Sequence, residues 1–590
     1  MTWRRLVLAT APLAALPWFV SSAAPATPAG PFRVTVESGL RVPMRDGVKL
    51  VADVYRPVDD GRFPVLLHRT PYNRHQPATG VALASNGYVV VLQDTRGRYD
   101  SEGEFYPFRH EANDGYDTVE WAAALPYADG KVGMFGGSYV GATQMLAAMA
   151  RPPHLVAIHP TVTASEYYEG WTYQGGALMQ WFTSSWASGL AVDTLRRRAD
   201  PLAHPRDWVR TLPVDGYRLL DPPPVASLAP YFQDWLKHET ADDYWRATRV
   251  SDHYGEMTVK ALHRAGWHDI FSTGSIRNYV GMRAGAATPE ARNGQRLMIG
   301  PWAHWETSPE GKVGEVVFGK AAVVDDEEVL LRWSDHTLKG TANEYATGAP
   351  VRLFVMGDNV WRDEQEFPPA RARATRYYLH SVKGARTAAG DGTLSAQPPR
   401  NEPPDRFTYD PADPVPTLGG RLCCGATYLP GPADQRANES RADVLVYSTP
   451  PLAQDVEVTG FVTAEIQAAT SAMDTDFTAL LVDVDPSGYA RYVADGIVRG
   501  RYRKSTEHAE PIQPGRVETY TIDLGATSNV FKAGHRIRLY VSSSNFPRFD
   551  RNLNTGEPLA QATRMVKAEQ TVHHDRVRAS VLILPVVPRP

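Results

Sequence analysis

Four short, almost unbroken apolar runs in the first part of the chain leave few folds open. Val65–His68, Tyr88–Leu92, Val132–Phe135 and Leu155–Ile158 show no alternation of polar and apolar residues, so strands built from them are buried on both faces. Polar or helical stretches such as Glu111–Ala124 separate them, and strands alternating with helices build a parallel sheet covered on both sides. Ahead of them, the alternating segment Val42–Tyr55 turns at Asp46-Gly47 and reads as a hairpin. From 164 to 251 the rhythm stops. That stretch is rich in Trp and Tyr at helical spacings, is broken at Asp221-Pro-Pro-Pro224, and reads as a helical cap inserted between strands. The alternation resumes with Val259–His263 and Arg296–Gly300. After about Pro350 short alternating strands such as Val351–Val355, Val456–Phe461 and His535–Val541 dominate, with a Pro-rich loop over 397–416, which is the texture of a β-sandwich or jelly roll. The chain of 590 residues thus divides into an N-terminal segment 1–30, an α/β part at 31–163, a cap at 164–251, a second α/β part at 252–349 and a jelly roll or sandwich at 350–590.

The run at Val132 ends in Gly136-Gly137-Ser138-Tyr139-Val140-Gly141, a strand, a glycine turn, a serine and a helix start. Such an elbow lifts the serine hydroxyl above the sheet edge, where a nucleophile sits. The common form is G-x-S-x-G; here Val140 takes the place of the second glycine and Gly141 follows it. A nucleophilic serine needs a base and an acid that orients the base, in the order Ser, Asp, His on loops at strand ends. Strand 259–263 leads into Gly266-Trp-His-Asp269, and strand 296–300 leads into Pro301-Trp-Ala-His304. Asp269 and His304 are therefore the expected partners of Ser138. Among the other histidines, His68, His159 and His263 read as packing or turn residues, and His268 is the rival base beside Asp269. The oxyanion of acyl transfer needs two donors. The backbone N–H of Tyr139 is one; the other comes from the loop after strand 65–68, where Arg69-Thr-Pro-Tyr72 offers the Tyr72 phenol, whose alternative use is packing beside Pro71.

With 62 Lys and Arg against 66 Asp and Glu, the formal charge of −4 gives no basic surface for nucleic acid, and a small-molecule ester or amide is the expected partner. Arg4 and Arg5, the apolar run Leu6–Val20 and Ser21-Ser-Ala-Ala24 have the layout of a signal peptide, by way of the general or twin-arginine route, and place the protein outside the cytoplasm or in the periplasm. The run is too short to span a bilayer, so no stable membrane span is expected in the mature chain; an uncleaved anchor is the alternative. The only two cysteines, Cys423 and Cys424, are adjacent; oxidised, they would form a strained local ring that restrains a loop. With no further Cys nearby, a structural zinc site is not expected there, and neither metal nor organic cofactor is needed.

The segments Arg69-Thr-Pro-Tyr72, Gln93-Asp-Thr-Arg-Gly97, Ser101-Glu-Gly103, Gly136-Gly-Ser-Tyr139, Gly266-Trp-His-Asp269 and Gly300-Pro-Trp-Ala-His304 resemble the cocaine esterase/NonD family of serine hydrolases, related to the X-Pro dipeptidyl-peptidases. The resemblance continues through Thr475-Asp-Phe477, Asp495-Gly-Ile497, Arg501-Tyr-Arg503, Gly534-His535 and Asn552-Leu-Asn-Thr-Gly556. It implies an α/β-hydrolase domain with a helical cap and a C-terminal jelly roll, a Ser138–Asp269–His304 triad and an oxyanion hole of Tyr72 and the Tyr139 amide. Related α-amino-acid ester hydrolases carry acidic residues just after the triad aspartate, where this chain has Ile270, Phe271 and Ser272. Apolar side chains there favour an uncharged acyl group, because a buried unpaired ammonium is costly. Tyr168, Trp171 and Trp181 in the cap, with Phe271, are the candidate pocket walls, although for any one cap aromatic a place in the cap's own core is the favoured reading. Arg96 is expected in a structural ion pair. The expected activity is acyl-enzyme hydrolysis of esters, with amides open; the alternatives are an X-Pro dipeptidyl-peptidase or acylase, or a carbohydrate- or protein-binding module carrying an inactive hydrolase part.

Overall fold

The computed structural model describes residues 30–199, 225–304, 308–424 and 427–589. The proposed signal segment and the break Asp221–Pro224 lie outside the described residues.

The apolar runs form the middle of a ten-stranded sheet. Its first strands are β1 (Val34–Pro43), β2 (Lys49–Pro57), β3 (Phe63–Thr70), β4 (Val89–Asp94), β5 (Ala128–Gly137) and β6 (Leu155–Thr161). β1 and β2 pair antiparallel, and the turn closes with Gly47 at φ +88°, a conformation that suits the glycine of an Asp-Gly pair. From β4 through β3, β5 and β6 the pairing is parallel. Every residue of β4 is buried, as its unbroken apolar sequence requires. Helices α1 (Pro77–Ser85), α2 (Glu111–Ala123) and α3 (Tyr139–Ala150) connect these strands.

Beyond β6 the chain enters the cap. The expected helical texture begins late there. Residues 164–179 are turns and a small ribbon, β7 (Tyr173–Gln174) with β8 (Ala177–Leu178), because Gly170, Gly175 and Gly176 take positive φ values that end any helix. Helix α4 (Gln180–Ala199) follows, and shorter helices occupy Val225–Leu228, Pro230–Lys237 and Asp243–Arg246. The parallel sheet resumes with β9 (Lys260–Gly266) and β10 (Gln295–Gly300), in register from Gln295 opposite Ala261 to Gly300 opposite Gly266. A small ribbon of β11 (Lys312–Val313) and β12 (Val316–Val317) stands apart.

One expectation about the second half needs correction. β13 (Val351–Val355) pairs parallel with β10, and β14 (Val360–Glu364) pairs antiparallel with β13, so the first sheet continues past residue 350. Alternation alone gave no sign of this, because a short strand paired at the margin of the first sheet and a sandwich strand read alike in sequence; in the structure β13 is buried at four of its five residues and β14 forms the sheet's edge. The second unit is an all-β assembly of eleven strands between Arg373 and Val587, centred on the long strand Val456–Thr470, which pairs with Glu518–Phe531, Ala568–His573 and Val581–Val587. One of its strands, Asp405–Tyr409, lies within the stretch expected to be a Pro-rich loop. Val458, Ile466, Phe477, Leu481, Ile522 and Leu539 fill its core. Each such side chain contributes about 1.5–3 kcal/mol by leaving water.

The two units are joined by buried polar contacts. Arg421 donates to the carbonyls of Trp267, Leu524 and Ala526, and Leu178 N–H donates to Asp550 at 2.7 Å. Asp550 also pairs with Arg499, which is fully buried and holds Asp476 at 2.9 Å. A buried arginine with two carboxylates and no open face is costly to break, so these contacts hold the second unit against the cap in one register.

Candidate active site

The elbow explains its own glycine pattern. Ser138 sits at φ 62°, ψ −125°, a conformation rare for any residue with a side chain, and its N–H donates to Thr161 O at 2.9 Å. Gly136 lies at φ +126°, and a Cβ there would come within 2.4 Å of Val140 Cγ1. Val140, which departs from the common motif, thus occupies the space that Gly136 leaves open. Gly141 faces the segment just past β6, where a Cβ would meet Thr163 Cβ at 2.7 Å. The close approaches have been redistributed around the serine, and the turn keeps its geometry.

Three strand ends then bring side chains together. His304, four residues past the end of β10, places Nε2 3.0 Å from Ser138 Oγ. Its Nδ1 lies 2.5 Å from Asp269 Oδ2, and Asp269 comes three residues past the end of β9. The other oxygen of Asp269 accepts the Phe271 backbone N–H at 2.7 Å. All three side chains are buried. A proton on Nδ1 facing the carboxylate leaves Nε2 as the lone-pair nitrogen toward the serine, which is the tautomer a general base requires. The rival, His268, is buried against Phe318 and Tyr492, with its pKa pushed well below the ordinary value by burial. Burial also lowers His68 to about 4, His159 to about 3 and His263 to about 4, so these rings are neutral packing groups.

Tyr72 comes from the loop after β3. The Trp186 indole N–H donates to its hydroxyl at 2.9 Å, and the Ser138 hydroxyl and the Tyr139 backbone N–H also converge on that oxygen. Burial raises the phenol to about 12, so it stays a neutral donor at physiological pH. Its loop is fixed by Arg98, which donates to Pro71 O at 2.9 Å and to Leu190 O of α4 at 3.0 Å. The side chain of Tyr139 points away from Ser138: its hydroxyl donates to Glu111 Oε1 at 2.9 Å and accepts the Phe108 N–H, while Glu111 pairs with the fully buried Arg69. Arg96 pairs with Asp114 and Asp46 in an ion pair that supports the loop.

The cap aromatics divide. Trp171 stacks on Phe271 with ring centroids 4.4 Å apart, and Phe271 stands edge to face with His304 at 5.3 Å. Trp186 meets Trp171 at 5.8 Å and was not expected at the site from its sequence context, in which it is one aromatic among many. Tyr168 is elsewhere: it stacks on Tyr173 and donates to Glu239 O, inside the cap's core. Trp181 turns toward Tyr428 of the second unit at 4.7 Å. The turns of 164–172 aim Tyr168 and Trp171 in different directions, and no helical spacing applies there to predict it. Cys423 belongs to the same apolar cluster as Trp171, Trp186 and Phe271, and Cys424, bonded to it in a disulfide, packs against that cluster. Beside His304 lies a cavity of about 210 Å³ lined by Gly136, Gly137, His159, Arg264, Trp302 and Leu330, among others.

A buried carboxylate holding an imidazole that faces a serine, at the C-terminal edge of an α/β sheet, defines a serine hydrolase. Comparison with known proteins agrees. Residues 46–306 match the family described as X-Pro dipeptidyl-peptidase (S15 family), and residues 343–583 match the X-Pro dipeptidyl-peptidase C-terminal non-catalytic domain. Cocaine esterase of Rhodococcus sp. (strain MB1 Bresler) is 39% identical over 580 residues, covering 94% of this chain and 99% of that protein. Among solved structures, an aminopeptidase from a marine sediment Thaumarchaeota archaeon superposes with a TM-score of 0.78 at 25% identity, over 97% of this chain and 99% of that one. An α-amino acid ester hydrolase gives 0.76 at 25% identity, over 98% and 100%. The chain belongs to the X-Pro dipeptidyl-peptidase (S15) family of serine hydrolases, in its cocaine esterase/NonD branch.

Proposed function

We propose that the chain is an exported carboxylic-ester hydrolase that works through an acyl-enzyme on small, largely apolar acyl groups. Ser138 attacks the ester carbonyl as His304 Nε2 takes its proton, and Asp269 stabilises the imidazolium that forms. The Tyr139 amide and the Tyr72 phenol receive the oxyanion; the indole of Trp186 already occupies a lone pair of the phenol, which directs the phenol's own proton toward the reacting centre. His304 then protonates the leaving alcohol and activates the water that deacylates Ser138.

The observation that carries the substrate class is the aromatic wall. Phe271 packs against His304 and Trp171 stacks behind it, so the acyl group meets ring faces within the first residues after Asp269. Such a surface rewards apolar and aromatic acyl chains and offers no partner to an ammonium. Both family descriptions support a second reading, an X-Pro dipeptidyl-peptidase. A panel of aryl esters, α-amino-acid esters and dipeptidyl-proline amides separates the two. Preferential turnover of uncharged aryl esters is expected; turnover of the proline amides alone would overturn the ester reading.

Export rests on Arg4, Arg5 and the apolar run that follows. Among the described residues no helix is long and apolar enough to cross a membrane. Mass spectrometry of the mature N-terminus tests this reading, which predicts removal of roughly the first two dozen residues; an intact Met1 on the active protein would contradict it.

A further inference from the structure

The cysteine pair lies beside the hydrolytic machinery. Cys423, Cys424 and His304 are the group of potential metal ligands found among the described residues, with one ligand atom from each all within 4.8 Å of one another. The pair is held in place from both sides. Arg421, two residues before it, is fixed by three carbonyls, and Gly420 exchanges backbone hydrogen bonds with Gly431 at 2.7 and 2.9 Å. Cys423 is buried and Cys424 half-buried, so the pair is shielded on one side only.

We propose, resting on the hydrolase reading above, that reduction of the Cys423–Cys424 disulfide turns its meeting point with His304 into a Cys2His site for a soft divalent cation, zinc or cadmium, whose capture removes His304 from the hydrolytic cycle. The reducing step transfers two electrons and two protons from a dithiol to the sulfur–sulfur bond. That bond breaks, two thiols form, and the dithiol leaves as its own cyclic disulfide. The thiols lose their protons as the metal binds. Two thiolates and an imidazole form a three-ligand set with a fourth position open to water, and thiolates favour zinc over harder cations. In a tetrahedral site with Zn–S near 2.3 Å and Zn–N near 2.0 Å the ligand atoms stand about 3.5–3.8 Å apart, so the two sulfurs, bonded to each other in the oxidised pair, must part by about 1.7 Å and the imidazole nitrogen must close by up to about 1 Å. A metal on either ring nitrogen of His304 displaces Asp269 or Ser138 from it, and both contacts are needed for general-base action. While the disulfide is intact neither sulfur is a thiolate, and the site does not exist.

The test uses the full-length enzyme, oxidised or reduced with a water-soluble phosphine that takes its oxygen from water, and then desalted without air. Thiol titration should give no free thiol before reduction and two after it. Cadmium chloride should then produce a thiolate charge-transfer band at one equivalent in the reduced enzyme alone. One equivalent of zinc chloride should lower its aryl-ester rate at least tenfold, reversibly with a chelator, and leave the oxidised enzyme unchanged. The Cys423→Ser/Cys424→Ser variant, compared with its own metal-free rate, should show neither effect. A disulfide that resists the phosphine, a reduced enzyme with no cadmium band, zinc binding without loss of rate, or equal inhibition of the oxidised enzyme would each overturn the proposal. An absence of aryl-ester turnover in every form would instead count against the hydrolase reading, and the cadmium titration would still decide the metal site.

Discussion

Tyr72→Phe removes a single oxygen atom, and the structure specifies what that oxygen does. In the resting site it accepts from the Trp186 indole at 2.9 Å and faces Ser138 and the Tyr139 amide. The Phe variant leaves the amide as the sole oxyanion donor. Loss of one such donor costs about 2.7–4 kcal/mol of transition-state stabilisation, which lowers kcat by about 10²–10³. KM should change little, because the ground-state carbonyl has not yet developed the charge that the phenol serves. A second effect must be separated from the first. The indole N–H of Trp186 loses its partner while buried, a stability cost of about 1–3 kcal/mol. Trp186→Phe controls for it: that variant keeps the phenol and loses the hydrogen bond that orients it, worth about 0.5–1.5 kcal/mol, so its kcat should fall about tenfold at most, while the packing that the smaller ring gives up against Trp171 and Tyr139 shows in the unfolding curve. The assay is initial-rate kinetics on an aryl ester, with urea unfolding of each variant alongside. A Tyr72→Phe enzyme within about threefold of the wild-type kcat, or one that loses rate only as far as Trp186→Phe does, would refute the assignment of the phenol to the oxyanion.

Three further outcomes are expected. Asp269→Asn should lower kcat by about 10⁴ with the fold intact, because the amide can hold His304 in the wrong tautomer; near-normal rates would show that another group orients the imidazole. Gly136→Ala should cost at least about 1–3 kcal/mol in chemical unfolding, from its positive φ and the overlap with Val140, and should lose activity by displacing Ser138; Val140→Gly added to it should restore part of the activity, and no restoration would contradict the space-sharing account of the elbow. The His535 imidazole, hydrogen-bonded to Asp483 at 2.8 Å, has its pKa raised by that bond against partial burial. A raised folded pKa stabilises the native state fully below the unfolded value of about 6.5, and that contribution is lost as pH rises through the folded value. The wild type should therefore exceed His535→Gln in urea midpoint at about pH 5.5 and lose that margin by about pH 8.5; a margin that does not change with pH would refute it.

What could be read in the sequence depended on whether the physics was local. Buried parallel strands carry unbroken apolar runs, so β3 to β6 were legible, and the order of Ser138, Asp269 and His304 follows from their positions after strand ends. The edge strand β14 was not legible as part of the first sheet, because pairing partners are not encoded in alternation. Trp186 gave no distinguishing signal: its role comes from an indole N–H that meets the oxygen of Tyr72, 114 residues earlier. Tyr168 and Trp171 looked alike until the glycine-rich turns of 164–179 sent one into the cap core and the other to Phe271. The place of Cys423 and Cys424 beside His304 depends on a loop of the second unit folding back over the first, a contact between segments more than a hundred residues apart.

Covalent trapping at Ser138 tests the central claim most directly. A fluorophosphonate ester should add once per chain, peptide mapping should find the adduct on Ser138, and both labelling and ester turnover should disappear in Ser138→Ala. An adduct on another residue, or turnover that survives in Ser138→Ala, would contradict the account.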